Sequence, residues 1–242
     1  MKSLAQLKAE SKIETLLRKR EKADDERVFS QIAKEREELE ARKRARTPSV
    51  RTMASFIAGE RSKQKNFKAM QVRLKKQRDD LPNDGILLVL RIHVSVHAAN
   101  PVKKALSALR LKNRYSAVLV KTSPEVHKLL QIVEPFVIFG KPTQQIVDKL
   151  VRKRGKVMRN GVEMELKDNN WVEETLEVHG MLCIDDLVYE LANGTDNFDK
   201  AALFLSPFKL NLPQKKFKKT PYSKGGDYGF REDINLIVES MI

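Results

Sequence analysis

Ile86-Leu87-Leu88-Val89-Leu90-Arg91-Ile92-His93-Val94-Ser95-Val96 opens the stretch whose reading decides the fold. Five apolar residues in a row, passing into alternation at Ile92, Val94 and Val96, describe a buried strand leaving the core. Asn100-Pro101 follows, a helix-capping residue type and then a proline suited to the first helical position. The helix predicted from there places Val102, Ala105, Leu106 and Leu109 on one face, with Lys103, Lys104, Arg110 and Lys112 elsewhere on its surface. Tyr115 to Val120 reads as a second strand. Ser123-Pro124 repeats the cap, and Val126, Leu129, Leu130 and Val133 repeat the i, i+3, i+4, i+7 spacing of a half-buried helix. After Pro135, Phe136-Val137-Ile138-Phe139 is short, apolar and stopped by Gly140. The fold class expected is α+β, with a strand–helix–strand–helix–strand core over residues 86–140 and both helices on one face of a three-stranded sheet. Connections that short leave no long loop in which to house an active site.

Beyond the core, residues 141–212 read as a helical and hairpin part. Pro142-Thr143 starts a third helix with Ile146, Val147, Leu150 and Val151 inward. Asn160-Gly161, flanked by Val157, Met158, Val162, Met164 and Leu166, is the strongest hairpin signal in the chain. Arg152, Lys153, Arg154, Lys156 and Arg159 gather at its base and tip. They read as a compact basic patch, or as the solvated end of a helix, where Lys and Arg are favoured by the dipole. Asp168-Asn169 caps a helix carrying Trp171, Val172 and Leu176, and another helix carries Ile184, Leu187, Val188 and Leu191 inward. Phe198, Leu203, Phe204, Leu205 and Phe208 are expected to complete this part of the core. Residues 213–242 form a basic tail and a short helix. In the tail, Lys215, Lys216, Lys218, Lys219 and Lys224 interleave with Phe217 and Tyr222, which suits phosphate contact with base or ribose stacking. Gly225-Gly226-Asp227-Tyr228-Gly229 then offers backbone angles closed to other residues.

The N-terminal eighty residues are a different material. Residues 1–40 balance ten basic against ten acidic residues and contain neither Pro nor Gly, so a long helix is expected. Its apolar positions are too thin for a sustained coiled coil, leaving a solvated helix or a disordered tail. Thr47-Pro48-Ser49 breaks it. The next segment sets Met53, Phe56, Ile57, Phe67, Met70 and Leu74 among cations, a second helix. From 41 to 78 the basic residues are Arg42, Lys43, Arg44, Arg46, Arg51, Arg61, Lys63, Lys65, Lys68, Arg73, Lys75, Lys76 and Arg78, against the single acid Glu60. Like charge repels itself along an isolated helix, so ordering on a phosphate backbone is the expectation. Asp79 to Gly85 is turn-rich and acidic, and residues 81–85 read as the linker between the extension 1–80 and the core.

Charge bounds the function more than length does. The 242 residues hold 47 Lys+Arg against 32 Asp+Glu, a net +15, which points to a polyanionic partner. A single cysteine, Cys183, excludes an intramolecular disulfide and suggests a reducing compartment. No apolar run reaches the roughly 18–20 residues of a membrane span, and Met1-Lys2-Ser3-Leu4 lacks the apolar stretch of a signal peptide. An intracellular, soluble, basic protein is expected.

Several strings in order carry a family resemblance. They are Ile132-Val133-Glu134-Pro135-Phe136, Lys153-Arg154-Gly155, Leu166-Lys167-Asp168-Asn169, Cys183-Ile184-Asp185-Asp186-Leu187, Pro207-Phe208-Lys209-Leu210 and Gly225 through Asp233. Together, over residues 86–238, they resemble the eukaryotic "L-seven" form of the universal "L-thirty" large-subunit ribosomal protein family. The resemblance implies a structural place on large-subunit rRNA beside neighbouring large-subunit ribosomal proteins, without catalysis. It implies a cytoplasmic ribosome as the location, with nucleolar passage during assembly. Two places depart from the family. His93 to Asn100 stands where relatives have a glycine-containing loop, and Leu236-Ile237-Val238-Glu239 carries little of the positive charge of their last helix. The same fold in a nucleolar assembly factor is the alternative that these departures keep open.

Other chemistries fare worse. His93 and His97 sit four apart, but on a strand and its exit, without a third metal ligand. His127 and His179 have no partners in sequence, and Gly140-Lys141-Pro142-Thr143 lacks the earlier glycine of a phosphate loop. Asp185-Asp186 complements a helix dipole. No catalytic residue, metal or cofactor is expected, nor a membrane or small-molecule partner. A membrane-surface or scaffold protein remains the alternative of another class, weakened by the lack of a rich apolar helix face. The RNA-binding residues expected are the basic residues named above, with Arg114 beside Lys112 and Tyr222 in the tail.

Overall fold

The computed structural model describes residues 27–42, 52–75, 85–94, 98–159 and 161–242. The first twenty-six residues, Thr47-Pro48-Ser49, the linker at 81–84 and Ser95 to His97 lie outside the described residues. The chain forms two compact units, residues 1–50 with 160–162, and residues 51–159 with 163–242. In the first unit, residues 27–42 are helical (α1) and mostly exposed, as a segment rich in Glu, Lys and Arg from Lys34 onward favours.

The second unit is built on a sheet whose central strand is β1 (Ile86–Arg91), buried along its whole length. A strand covered on both faces reads as a continuous apolar run rather than as an alternation. Leu87 and Val89 face one layer; Leu88 and Leu90 face the other. β2 (Ser116–Lys121) and β3 (Val137–Gly140) flank β1, both antiparallel to it. The sheet has five strands, not three, in the order β6-β2-β1-β3-β7. β6 (Phe208–Lys209) and β7 (Gly229–Phe230) are two-residue additions from the C-terminal part. β7 reaches β3 so closely that a Cβ on Gly140 would lie 2.0 Å from the Arg231 carbonyl oxygen.

α3 (Asn100–Ala108) and α4 (Pro124–Val133) cover the face of Leu87 and Val89 through Val102, Ala105, Leu106, Leu130 and Val133. The Ser123 hydroxyl caps α4, accepting from the Val126 N–H at 3.2 Å. Asn100 does not do the same for α3. Ala99 occupies the cap position, and Asn100-Pro101 is already helical. The long helix α2 (Met53–Lys75) joins this layer near its C-terminal end, where Met70 is buried and Arg73 lies 4.0 Å from Glu134 on the turn after α4.

The opposite face is covered by α5 (Gln144–Arg154), α7 (Ile184–Asn193), α8 (Phe198–Phe204) and α9 (Ile234–Glu239). The inward positions of α5 and α7 follow the spacing read from the sequence, and those of α8 need one correction. Leu203 is exposed, while Ala201 on the other side of α8 is buried. β4 (Lys156–Arg159) and β5 (Val162–Glu165) make the hairpin, with Gly161 at φ +80° in its turn. Before α6 (Asn170–Leu176), Asn169 makes no cap; its Oδ1 accepts instead from the Ile184 N–H at 3.2 Å and ties α6 to α7.

Candidate nucleic-acid interface

The end of the sheet where β1 stops and β2 starts is held by a buried arginine. Arg91 donates from Nη1 to the Leu111 carbonyl at 2.8 Å and to that of Lys112, and from Nε to the His93 carbonyl at 3.2 Å. The loop it grips is strained at both ends. Among the described residues Arg110 and Tyr115 are the non-glycine ones with left-handed backbone, at φ 59° and 60°, each a cost of about 1–2 kcal/mol. Arg110 is engaged on its own account, donating to the carbonyls of Ala202 and Leu205 at the end of α8. Between these two strained residues the loop turns Lys112 and Arg114 to solvent. Arg114 donates from Nε to the Ile92 carbonyl at 2.8 Å, and its guanidinium lies 4.4 Å from the centre of the Tyr115 ring.

The basic tail arrives at the same place. His93 is buried, and its Nε2–H donates to the Lys218 carbonyl at 3.3 Å. The Lys218 N–H donates to Asp227 Oδ2 at 2.6 Å. Arg231 in turn holds Asp227 at 3.2 Å and Asp233 at 2.7 and 2.5 Å, with its guanidinium 4.7 Å from the centre of the Tyr222 ring. These bonds keep the Asp233 carboxyl below the usual carboxylate range. Burial pushes the His93 imidazole down, against the bond to the Lys218 carbonyl and the charge of Asp227, with Lys219 and Arg114 adding to the fall. His93 is therefore a neutral donor beneath a cationic surface.

The residues expected to bind RNA fall into three groups. In the first, Arg42, Arg61, Lys65, Lys68, Lys75, Lys103, Lys104, Lys112, Lys215, Lys216, Lys218, Lys219 and Lys224 are exposed, as is Tyr222. Lys63 pairs with Glu60 at 2.5 Å, within α2. The second group is 152–159, where most of the charge is spent within the protein. Arg152 pairs with Asp148 at 2.6 Å and with Asp185, Lys156 with Glu165 at 3.9 Å, and Arg159 with Glu174 at 3.3 Å over the Trp171 ring. Arg154 donates to the Ile242 carbonyl at 3.1 and 2.5 Å. The third group, Lys43, Arg44, Arg46, Arg51, Lys76 and Arg78, lies outside the described residues.

Arg91, Arg231 and Asp227 were not among the expected residues. Arg91, a charge set between the apolar run Ile86 to Leu90 and Ile92, is the one of the three that a sequence signal could have found. The other two act through one another and through Asp233 and Lys218, within sixteen residues of sequence that carry no periodic pattern. The remaining histidines do not converge. The ring of His127 keeps its Nε2 buried on α4, and His179 Nδ1 accepts from the Lys200 ammonium at 3.1 Å. Among the described residues no group of three or more His, Cys, Asp or Glu is arranged to hold a metal ion, and no helix is long and apolar enough to cross a membrane.

With this geometry in hand, the chain can be set beside known proteins. The family model described as ribosomal protein L30p/L7e matches residues 87–137, from β1 to the start of β3. The large ribosomal subunit protein uL30z of Arabidopsis thaliana is 32% identical over 236 residues, covering 94% of each chain. The large ribosomal subunit protein uL30A of Schizosaccharomyces pombe is 31% identical over 240 residues, covering 95% of this chain and 94% of its own. The ribosome biogenesis protein RLP7 of Saccharomyces cerevisiae is 36% identical over 135 residues, covering 52% of this chain and 42% of its own.

Proposed function

This chain belongs to the L30p/L7e family of ribosomal proteins, and from that premise we propose that it is a structural constituent of the large ribosomal subunit that binds and stabilises large-subunit rRNA. The carrying observation is similarity along nearly the whole length to proteins named for the large subunit, basic extension included. The chemistry agrees. A net +15 chain, with exposed lysines on α2, on α3 and along the tail, suits a phosphate backbone, each contact releasing counterions. Its partners are then the rRNA and neighbouring large-subunit proteins, and its place the ribosome, reached through the nucleolus in a eukaryotic cell. Its role is to hold RNA, not to catalyse.

The second reading is an assembly factor of the same fold. It is favoured by the match to the ribosome biogenesis protein, which covers about half of this chain. Sedimentation of a cell extract through sucrose separates the two. Stoichiometric presence in free large subunits and polysomes is expected. Confinement to precursor particles would make the protein an assembly factor, and absence from both would remove it from the ribosome.

A further inference from the structure

We propose that the 110–115 loop and the tail segment Lys215 to Lys219 form one preorganised notch that seats a phosphate of the RNA backbone between Arg114 and Lys219. The proposal rests on the RNA-binding reading above and assigns it a primary contact.

Convergence is the first argument. Arg114 and Lys219 lie about a hundred residues apart in sequence, yet Arg114 bonds the Ile92 carbonyl while His93, the next residue, bonds the carbonyl of Lys218, the neighbour of Lys219, and both charges bear on the His93 ring. Bringing two cations together costs repulsion in the free protein. Neither makes an ion pair with a carboxylate among the described residues, and a phosphate seated between them would relieve that repulsion.

Placement is the second. Arg114 is fixed by its bond to the Ile92 carbonyl, and the tail is fixed on both sides of Lys218. The His93 ring donates to the Lys218 carbonyl, and Asp227, itself held by Arg231, accepts from the Lys218 N–H. Tail and loop are thus set before any ligand arrives, which lowers the entropy lost on binding. The Asp227 carboxylate, the nearest competing anion, is occupied by Arg231 and the Lys218 N–H.

Strain is the third. Left-handed backbone at both Arg110 and Tyr115, with a buried arginine gripping the carbonyls between, is more than a simple link from α3 to β2 needs. Backbone held in such angles concentrates where a group has to be presented. Here the groups presented are Lys112 and Arg114. The cations at 152–159, mostly paired with the protein's own carboxylates, offer no comparable site.

The test measures binding of the full chain to a large-subunit rRNA transcript over a range of KCl concentrations. The proteins are the wild type, Arg114→Gln, Lys219→Gln and the double variant. Each single variant is expected to lose roughly threefold to tenfold in affinity, and the slope of log K against log salt to fall by about 0.7–0.9, one phosphate contact. Because both side chains hold one phosphate, the double variant should lose little more than either single. Losses that multiply, with the slope falling by two contacts, would overturn the shared notch in favour of two separate cations. Unchanged binding by the variants would remove the notch and leave the RNA-binding reading intact. A wild type that does not bind the transcript would remove both. Lys219 is exposed, so Lys219→Gln paired with Lys218→Gln keeps the test valid should Arg114→Gln fail to fold. The notch then requires that pair to lose affinity at an unchanged melting temperature.

Discussion

Arg91 shows what a single charged residue does when the core closes round it. The guanidinium is buried, and burial draws its pKa down, yet the carbonyls of His93, Leu111 and Lys112 depend on it. Arg91→Met keeps the volume and removes every donor, so those oxygens lose their partner, those of His93 and Leu111 in buried bonds. A loss on the order of 3 kcal/mol in unfolding free energy is expected, read by urea denaturation. His93, two residues on, gives a pH dependence with a definite sign. Its folded pKa is lowered, chiefly by burial, from an unfolded value of about 6.5. The unfolded chain therefore takes up the proton first. The stability this ring contributes is complete above that value and is lost as pH falls through the folded pKa. Between about pH 7.5 and 5.5 the wild type should lose stability that His93→Gln does not lose. Equal slopes for the two proteins would mean that the ring titrates normally. The carboxylates with lowered pKa, among them Asp233 and Asp186, titrate well below this window and do not confuse it.

At the scale of elements, legibility tracked how local the cause was. α3, α4, α5 and α7 stood out because their buried positions recur at helical spacing within one segment, as Ile146, Val147, Leu150 and Val151 do in α5. β1 stood out because both its faces are covered. β6 and β7 did not, since two residues carry no period and their pairing with β2 and β3 is set by the C-terminal packing. Ser123 acts as the cap its position suggested, while Asn100 and Asn169 do not, because tertiary contacts moved the helix start or took the side chain. α2 tests the rule from the other side. It is 23 residues, about 35 Å, and its anchor in the core is Met70. Met70→Ala is expected to weaken the docking of α2 by about 2–5 kcal/mol. In hydrogen exchange, amides of residues 61–75 should lose protection while those of β1 and β2 keep theirs. Loss of protection in both would mean that helix and sheet unfold as one unit.

Across the whole molecule, charge is sorted in a way the net figure hides. Residues 168–199 contain nine Asp and Glu and no Lys or Arg, inside a chain of net +15. The sequence shows that acidic stretch, but not that Glu174 and Asp185 within it would turn inward on Arg159 and Arg152 and spend the hairpin's basic cluster. Those pairs join residues 15 and 33 positions apart, and no local pattern announces them. Most of the expected RNA-binding cations left exposed lie instead on α2, on α3, in the loop before β2 and along the tail. If RNA is held by this sorted surface, the binding energy depends on those cations and hardly on the total charge. Glu173 in the first turn of α6 and Glu177 just after the helix are exposed, and neither pairs with a cation among the described residues. Replacing both with Gln raises the net charge by two while leaving every exposed cation in place. Under long-range attraction alone, that change would tighten binding to an rRNA transcript, most of all at low salt. Under the sorted surface, affinity should stay within about twofold and the salt slope should not move, since the number of neutralised phosphates is the same. A clear gain in affinity would place the acidic helices within reach of the RNA.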